Sequence, residues 1–201
     1  MYVCGMNFTK RQIEIINASK DLIGKKGLQN LTIKNLARKM SFSEPALYRH
    51  FKDKTEILKG LLLFNREIIR KGIFKIINSD IHSLEKFKKI LEFQFDYIHK
   101  NPAIIMVIFS ETSFQYNSIL SEVVSKMMNE RNKKIVEILK QGQIAKEIRT
   151  DIDVNQLATI IMGSMRLTVL QWKLSNFKTD LKSEGEQLWI TIEKLIRNKK
   201  S

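Results

Sequence analysis

The residues of this chain that could do chemistry gather in one stretch, Leu31-Thr-Ile-Lys-Asn-Leu-Ala-Arg-Lys-Met-Ser-Phe-Ser-Glu-Pro-Ala-Leu-Tyr-Arg-His-Phe-Lys-Asp-Lys-Thr-Glu-Ile-Leu58. One outward row, Ser43, Glu44, Pro45, Tyr48 and Arg49, mixes hydroxyls, a carboxylate and a guanidinium, a set suited to a groove. An arginine there can donate two bonds to guanine O6 and N7. Glu44 can accept from cytosine N4, or face away as a negative charge at a helix N-terminus. Thr32 sits at a second helix start, a position that favours an anion. Catalysis has no comparable set. There is no Gly-rich phosphate loop, metal-ligand cluster or nucleophile motif, and His50, His82 and His99 are scattered, the last two at positions that suggest the surface. No cofactor or metal is expected, and an enzyme is disfavoured.

Those residues need two short helices held at a tight angle. Thr32 is the expected N-cap of a helix ending near Met40, with Ile33, Leu36 and Ala37 facing inward. Ser43 caps the next, Pro45 stands in its first turn where a missing N–H costs nothing, and it ends near His50 or Phe51. Met40-Ser41-Phe42 joins the pair, which is the layout of a helix-turn-helix. Ahead lies a helix from about Lys10 to Lys26, with capping-box spacing at Thr9 and Gln12, a stripe of Ile13, Ile16, Leu22 and Ile23 beside Ala18, and a stop at Gly27. Six more helices follow: from Lys54 or Thr55 to Ile77, from Asp80 or Ser83 to Lys100, from Asn101-Pro102 to Ser110, from Ser118 to Gln141 with Gly142 as the stop, from Asp153 to Trp172, and from Asp180 or Ser183 to Arg197. The fold class is therefore all-α, with about nine helices.

Charge agrees with that layout. Residues 1–55 hold 11 Lys+Arg against 4 Asp+Glu, so half of the net +14 falls on a quarter of the 201 residues. A domain so basic suits a polyanion such as DNA. Cys4 is the only cysteine, which excludes an intramolecular disulfide and fits a reducing compartment. Met1–Lys10 lacks the apolar core of a signal peptide, and the longest apolar run, Ala103–Phe109, is far short of a membrane span. A cytoplasmic protein is expected.

From about Arg11 to Leu58 the chain resembles the tetracycline-repressor (TetR-type) family of bacterial regulators. The resemblance rests on Ile13, Ala18 and Gly27, on Leu31-Thr32-Ile33 and Leu36-Ala37, and above all on Leu47-Tyr48-Arg49-His50-Phe51 followed by Lys54. Ser41 departs from the family, which usually has Gly there, and a serine adopts such a turn at some cost. The resemblance implies that Tyr48, His50 and Lys54 hold DNA phosphates, with Thr32 at its helix start. It implies that bases are read from Lys34, Glu44, Pro45, Ala46 and Arg49; Ser43 is a further expected DNA contact. It further implies a DNA-binding domain over residues 1–55, a ligand-binding and dimerisation domain over residues 56–201, a homodimer on a palindromic operator of double-stranded DNA, and repression relieved by a small ligand.

The larger part is rich in Phe and Met, including Phe114, and most of these are simple core. The resemblance implies that part of this interior is a pocket, and the residues expected to line it for a hydrophobic or aromatic compound are Phe64, Phe87, Leu91, Gln94, Met106, Phe109, Met127, Met162 and Arg166, with Gln94 and Arg166 as polar anchors that are otherwise ordinary surface or interface residues. The expected dimer face is Leu157, Ile161, Ser164, Met165 and Thr168, with Gly163 permitting close approach, together with Leu188, Ile192 and Leu195. Two other readings stay open: a DNA-binding protein of the same fold that organises chromosomes or cell division without a ligand, and a membrane-surface protein using basic amphipathic helices.

Overall fold

The computed structural model describes residues 8–110 and 117–198, so Phe114 lies outside the described residues. These hold nine α-helices: α1 (Lys10–Lys26), α2 (Ile33–Met40), α3 (Glu44–Tyr48), α4 (Lys54–Ile77), α5 (Ser83–Lys100), α6 (Pro102–Ile108), α7 (Ser118–Ile144), α8 (Val154–Leu174) and α9 (Leu181–Ile196). A 3-10 turn spans Leu28–Asn30, and the only strand-like pairing among the described residues is an isolated bridge between Ile148 and Arg197. The all-α expectation is met.

Helix starts follow the cap residues. The Thr9 hydroxyl accepts from Gln12 N while the Gln12 side chain accepts from Thr9 N. Thr32, Asp153 and Asp180 cap α2, α8 and α9 through their side-chain oxygens. The stop of α7 differs from expectation. The helix runs through Gly142 to Ile144, and Lys146 takes the positive φ of 61° beyond it. Gly142 instead supplies room: a Cβ there would stand 2.5 Å from Ile148 Cδ1, and its carbonyl accepts from Glu147 N and Ile148 N as the chain turns back.

The chain forms two compact units. The first comprises Met1–Ile68 and Asn101–Ser125. Here α1 packs against α2 and α6, burying Ile15, Ile16, Ser19, Leu22 and Ile23. The inward stripe is rotated from the expected one. Ile13 and Ala18 are only partly buried, whereas Ile15 and Ser19 are inside, and the Ser19 hydroxyl is satisfied by donating to Ile15 O at 2.8 Å.

The second unit comprises Ile69–Lys100 and Lys126–Ser201. Within it α9 packs on α5 and α8. Gly185 admits the Phe95 ring, 2.7 Å from where a Cβ would stand. The Phe87 and Trp189 rings meet at 6.0 Å, and Trp172 packs edge-on to Phe177 at 4.7 Å. His99 is exposed, as expected, but its ring also lies on Trp172 at 5.9 Å. His82 lies at the surface beside Glu147. No helix among the described residues is long and apolar enough to cross a membrane.

Candidate nucleic-acid interface

The turn between α2 and α3 sets the direction of the reading helix. Ser41 takes the left-handed conformation (φ 56°, ψ 39°), and Phe42 N donates back to Ala37 O at 2.9 Å. Leu36, Ala37 and Leu47 are buried between the two helices, and Phe51 is buried just beyond α3. Gly60 lets α4 approach that ring, since a Cβ there would stand 3.0 Å from Phe51 Cε1. A helix of five residues has almost no stability of its own. Leu47 and Phe51 fix α3, and its other side stays in solvent.

That outer side carries Ser43, Glu44, Pro45, Tyr48 and Arg49, all exposed, with Ala46 and His50 partly so. Tyr48 is 50% exposed, unusual for a large aromatic side chain. Ser43 precedes α3, but its side chain makes no capping bond, so the hydroxyl is not committed to the helix. The Thr32 hydroxyl oxygen accepts from Asn35 N at 3.1 Å, which leaves its proton free to donate outward. Lys34 follows it, exposed on α2.

Lys54 opens α4. Its start is locked reciprocally: Asp53 Oδ1 accepts from Glu56 N at 2.8 Å, and the Glu56 carboxylate accepts from Lys52 N at 2.7 Å. The Lys54 ammonium leans towards Leu28 O at 3.5 Å, and burial holds its pKa below the ordinary lysine value. Lys20 is lowered by the same cause, partly opposed by Asp21, and donates to Asn101 Oδ1 at 2.7 Å.

Two positioning contacts have no signal in the sequence. Gln12 Nε2 donates to His50 O at 3.2 Å, and the Arg11 guanidinium lies 4.9 Å from the centre of the Phe42 ring. Both tie the first turn of α1 to the ends of the α2–α3 pair. At the other end of α1, Lys25, Lys26, Arg38 and Lys39 line an open depression of about 250 Å³, where Lys39 pairs with Asp21 at 3.4 Å. Thr32, Lys34, Ser43, Glu44, Pro45, Ala46, Tyr48, Arg49, His50 and Lys54 therefore all lie in the first unit, on α2, α3 and the first turn of α4 or beside them.

The residues expected to line a pocket fall differently. Phe64, Met106 and Phe109 belong to the first unit and are partly buried, Phe64 packing edge-on to Phe8 at 6.1 Å. In the second unit Phe87 and Leu91 are core, and Met127, Met162 and Arg166 are partly buried. Gln94 is not the surface residue it could have been, since it is 4% exposed.

The expected dimer face needs correction. Leu157, Ile161, Met165 and Ile192 are at most 3% exposed within a single chain, so they are core and present nothing to a second copy. Ser164, Thr168 and Leu188 are partly exposed and Leu195 is 51% exposed. The open side of α8 is instead Ile160, Leu167 and Leu174, at 52%, 54% and 71% exposure, with nothing within 4 Å of a Cβ built on Gly163. On α9, Ile190 and Leu195 are also exposed. The hydroxyls along the open side of α8 are satisfied within the helix, Ser164 on Ile160 O and Thr168 on Ser164 O, so covering this face strands no donor.

Two family models match the chain. Bacterial regulatory proteins, tetR family, covers residues 15–61, and the tetracyclin repressor-like C-terminal domain covers residues 84–186. The Nucleoid occlusion factor SlmA of Vibrio campbellii is 22% identical over 97% of this chain and 100% of its own length. Among solved structures, the fatty acid degradation regulator FadR from Bacillus halodurans superposes with a TM-score of 0.82 at 16% identity, covering 93% of this chain and 96% of that one. FadR from Bacillus subtilis, in complex with stearoyl-CoA, gives a TM-score of 0.77 at 21% identity over 90% and 96%.

Proposed function

Since the chain belongs to the TetR family of bacterial DNA-binding regulators, and so is no enzyme, we propose that it acts in the cytoplasm as a homodimeric repressor that binds a palindromic operator and is released by a hydrophobic small molecule. Residues 1–55 bind DNA, and residues 56–201 sense the ligand and pair the two copies. The observation that carries this reading is the exposed row on α3, with Tyr48 half in solvent beside an exposed Arg49. Tyr48, His50 and Lys54 hold phosphates, with Thr32 donating at its helix start. Arg49 and its neighbours on α3, together with Lys34, read bases.

Pairing follows from the free side of α8. Three of the ten large hydrophobic side chains exposed among the described residues, Ile160, Leu167 and Leu174, lie there, and a patch of that kind marks an interface. Two-fold symmetry then sets two copies of α3 about one turn of DNA apart. A ligand acts by binding one arrangement of α4 better than another, and can shift the equilibrium only by that difference.

The test is DNA binding by the full chain across ionic strength. Affinity for operator fragments selected from a random pool should fall steeply as salt rises, with a palindromic consensus. A flat salt response, or no binding to duplex DNA at low salt, refutes the proposal.

A second reading has its own support. The nucleoid occlusion factor of Vibrio campbellii aligns end to end with this chain. On that reading the protein marks chromosomal sites and needs no inducer. DNA binding unchanged by any apolar compound extracted from the expression host would favour it.

A further inference from the structure

We propose that Arg131 anchors the acidic head of an amphiphilic ligand, so that the molecule sensed carries an anionic group, carboxylate or phosphate, on an apolar chain. This rests on the sensor reading above and narrows its ligand.

Arg131 stands where a core residue belongs. Met127, Arg131, Ile135 and Ile138 recur at spacings of four and three along one face of α7, and Ile135 and Ile138 are buried. Position 131 thus interrupts an apolar row with a permanent cation. Its Nη2 lies 3.3 Å from Met165 Sδ, a weak acceptor, and its Nε is shut from solvent with no acceptor at all. No carboxylate pairs with it among the described residues. Burial pulls its pKa down to about 10, so it remains charged at neutral pH.

A cation held away from water without a counter-charge destabilises a fold, and methionine or leucine would fill the same space without that loss. The guanidinium fork matches carboxylate and phosphate in a two-bond geometry. The residue as a whole is only partly buried, although its Nε is shut from solvent. Its surroundings suit an alkyl chain: Met165 touches it, and Met127, one turn earlier on α7, is a soft side chain left partly uncovered.

The experiment titrates the full-length protein with dodecanoate, dodecanoyl-CoA and 1-dodecanol, read by the fluorescence of Trp172 and Trp189, both in this unit. Arg131→Gln, Arg131→Lys and Arg131→Met are measured beside the wild type. We expect the acid or the thioester to bind at least about tenfold more tightly than the alcohol. Which of the two wins tells a carboxylate from a phosphate source. Arg131→Gln should erase the preference and leave the alcohol unchanged, and Arg131→Lys should keep part of it. Without ligand Arg131→Met should melt above the wild type, an order that saturating anionic ligand reverses. An alcohol that binds as tightly as both the acid and the thioester, no binding, or a preference that survives in Arg131→Gln overturns the proposal. So does a lower melting point for unliganded Arg131→Met, which would make Arg131 a structural strut. Operator release separates this from the sensor reading: Arg131-dependent binding that leaves DNA bound sinks the sensor alone, whereas release by a neutral compound sinks Arg131 alone.

Discussion

Replacing Ser41 by glycine should make the protein more stable and leave its DNA affinity unaltered. Ser41 is held at φ 56° and ψ 39° by the α2 C-cap, whose bonds run through the backbone. A left-handed conformation costs a residue with a Cβ roughly 1–2 kcal/mol. Glycine removes that term but loses about 0.5–1 kcal/mol through the greater freedom of its unfolded chain. The serine side chain is exposed, so no packing is lost. The net gain is about 0.5–1 kcal/mol, or roughly 1–4 °C in melting temperature for a chain of this size. Two companions isolate the cause. Ser41→Ala keeps the penalty and should stay within a few tenths of a kcal/mol of wild type. Ser41→Val, branched at Cβ, should lose about 1 kcal/mol more. The assay is urea unfolding at a fixed temperature, with operator binding measured in parallel. A glycine variant no more stable than wild type, or an alanine variant that gains as much as glycine, would show that the backbone at Ser41 is not strained and refute the reasoning.

Tyr48→Ala and Lys54→Ala should weaken binding to every duplex alike and lower the salt dependence, whereas Arg49→Ala should lose about 1–3 kcal/mol on the selected operator and little elsewhere, as read by gel shift on both kinds of DNA. Because burial lowers the Lys54 pKa, the charged form is disfavoured in the free protein: the fold is relieved as pH rises through that value, while phosphate binding, which needs the charge, weakens. Operator affinity should therefore decline at a pH below the ordinary lysine range, and Lys54→Arg should flatten the decline. Leu167→Glu should give a monomer in sedimentation and lower operator affinity on the order of a hundredfold, since an unpaired carboxylate buried in an interface costs several kcal/mol. Ile161→Glu, on the buried side of the same helix, should fail to fold. Gly72→Ala should destabilise by about 1–3 kcal/mol because its Cβ would stand 2.2 Å from Phe93 Cζ, whereas Gly163→Ala meets nothing within 4 Å and should not destabilise the monomer.

What sequence reasoning reached, and what it missed, divides along a physical line. Caps are local, so Thr9, Thr32, Asp153 and Asp180 announced their helices, whereas the left-handed turn at Ser41 was legible only through the resemblance, which usually has Gly there. Orientation about a helix axis is not local. α8 carries one apolar row at Leu157, Ile161 and Met165 and another at Ile160, Leu167 and Leu174, and nothing along the chain says which of the two the other helices cover. The rotation of α1 towards Ile15 and Ser19 was hidden for the same reason. Contacts distant in sequence, such as Gln12 with His50, left no trace at all. Arg131 was passed over because a charged residue is read as solvent-facing unless its helix shows otherwise.

Two positions in this chain break a local rule, and the difference between them is informative. At Ser41 the penalty is small, the side chain is in solvent, and the backbone bonds would be the same with glycine. At Arg131 the penalty is larger and bears on the core of a unit whose stability depends on such rows. Departures of the second kind concentrate where function outweighs stability. If a ligand supplies the missing counter-charge, the free protein is the strained state and the liganded one the relaxed state. Stability must then rise with ligand as RT ln(1 + [L]/Kd). The strain and the affinity share one origin in the unpaired guanidinium, so removing the charge should abolish both together. An Arg131→Met protein that stayed as sensitive to the acid as the wild type would separate them, and with them the reason for keeping an arginine in that row.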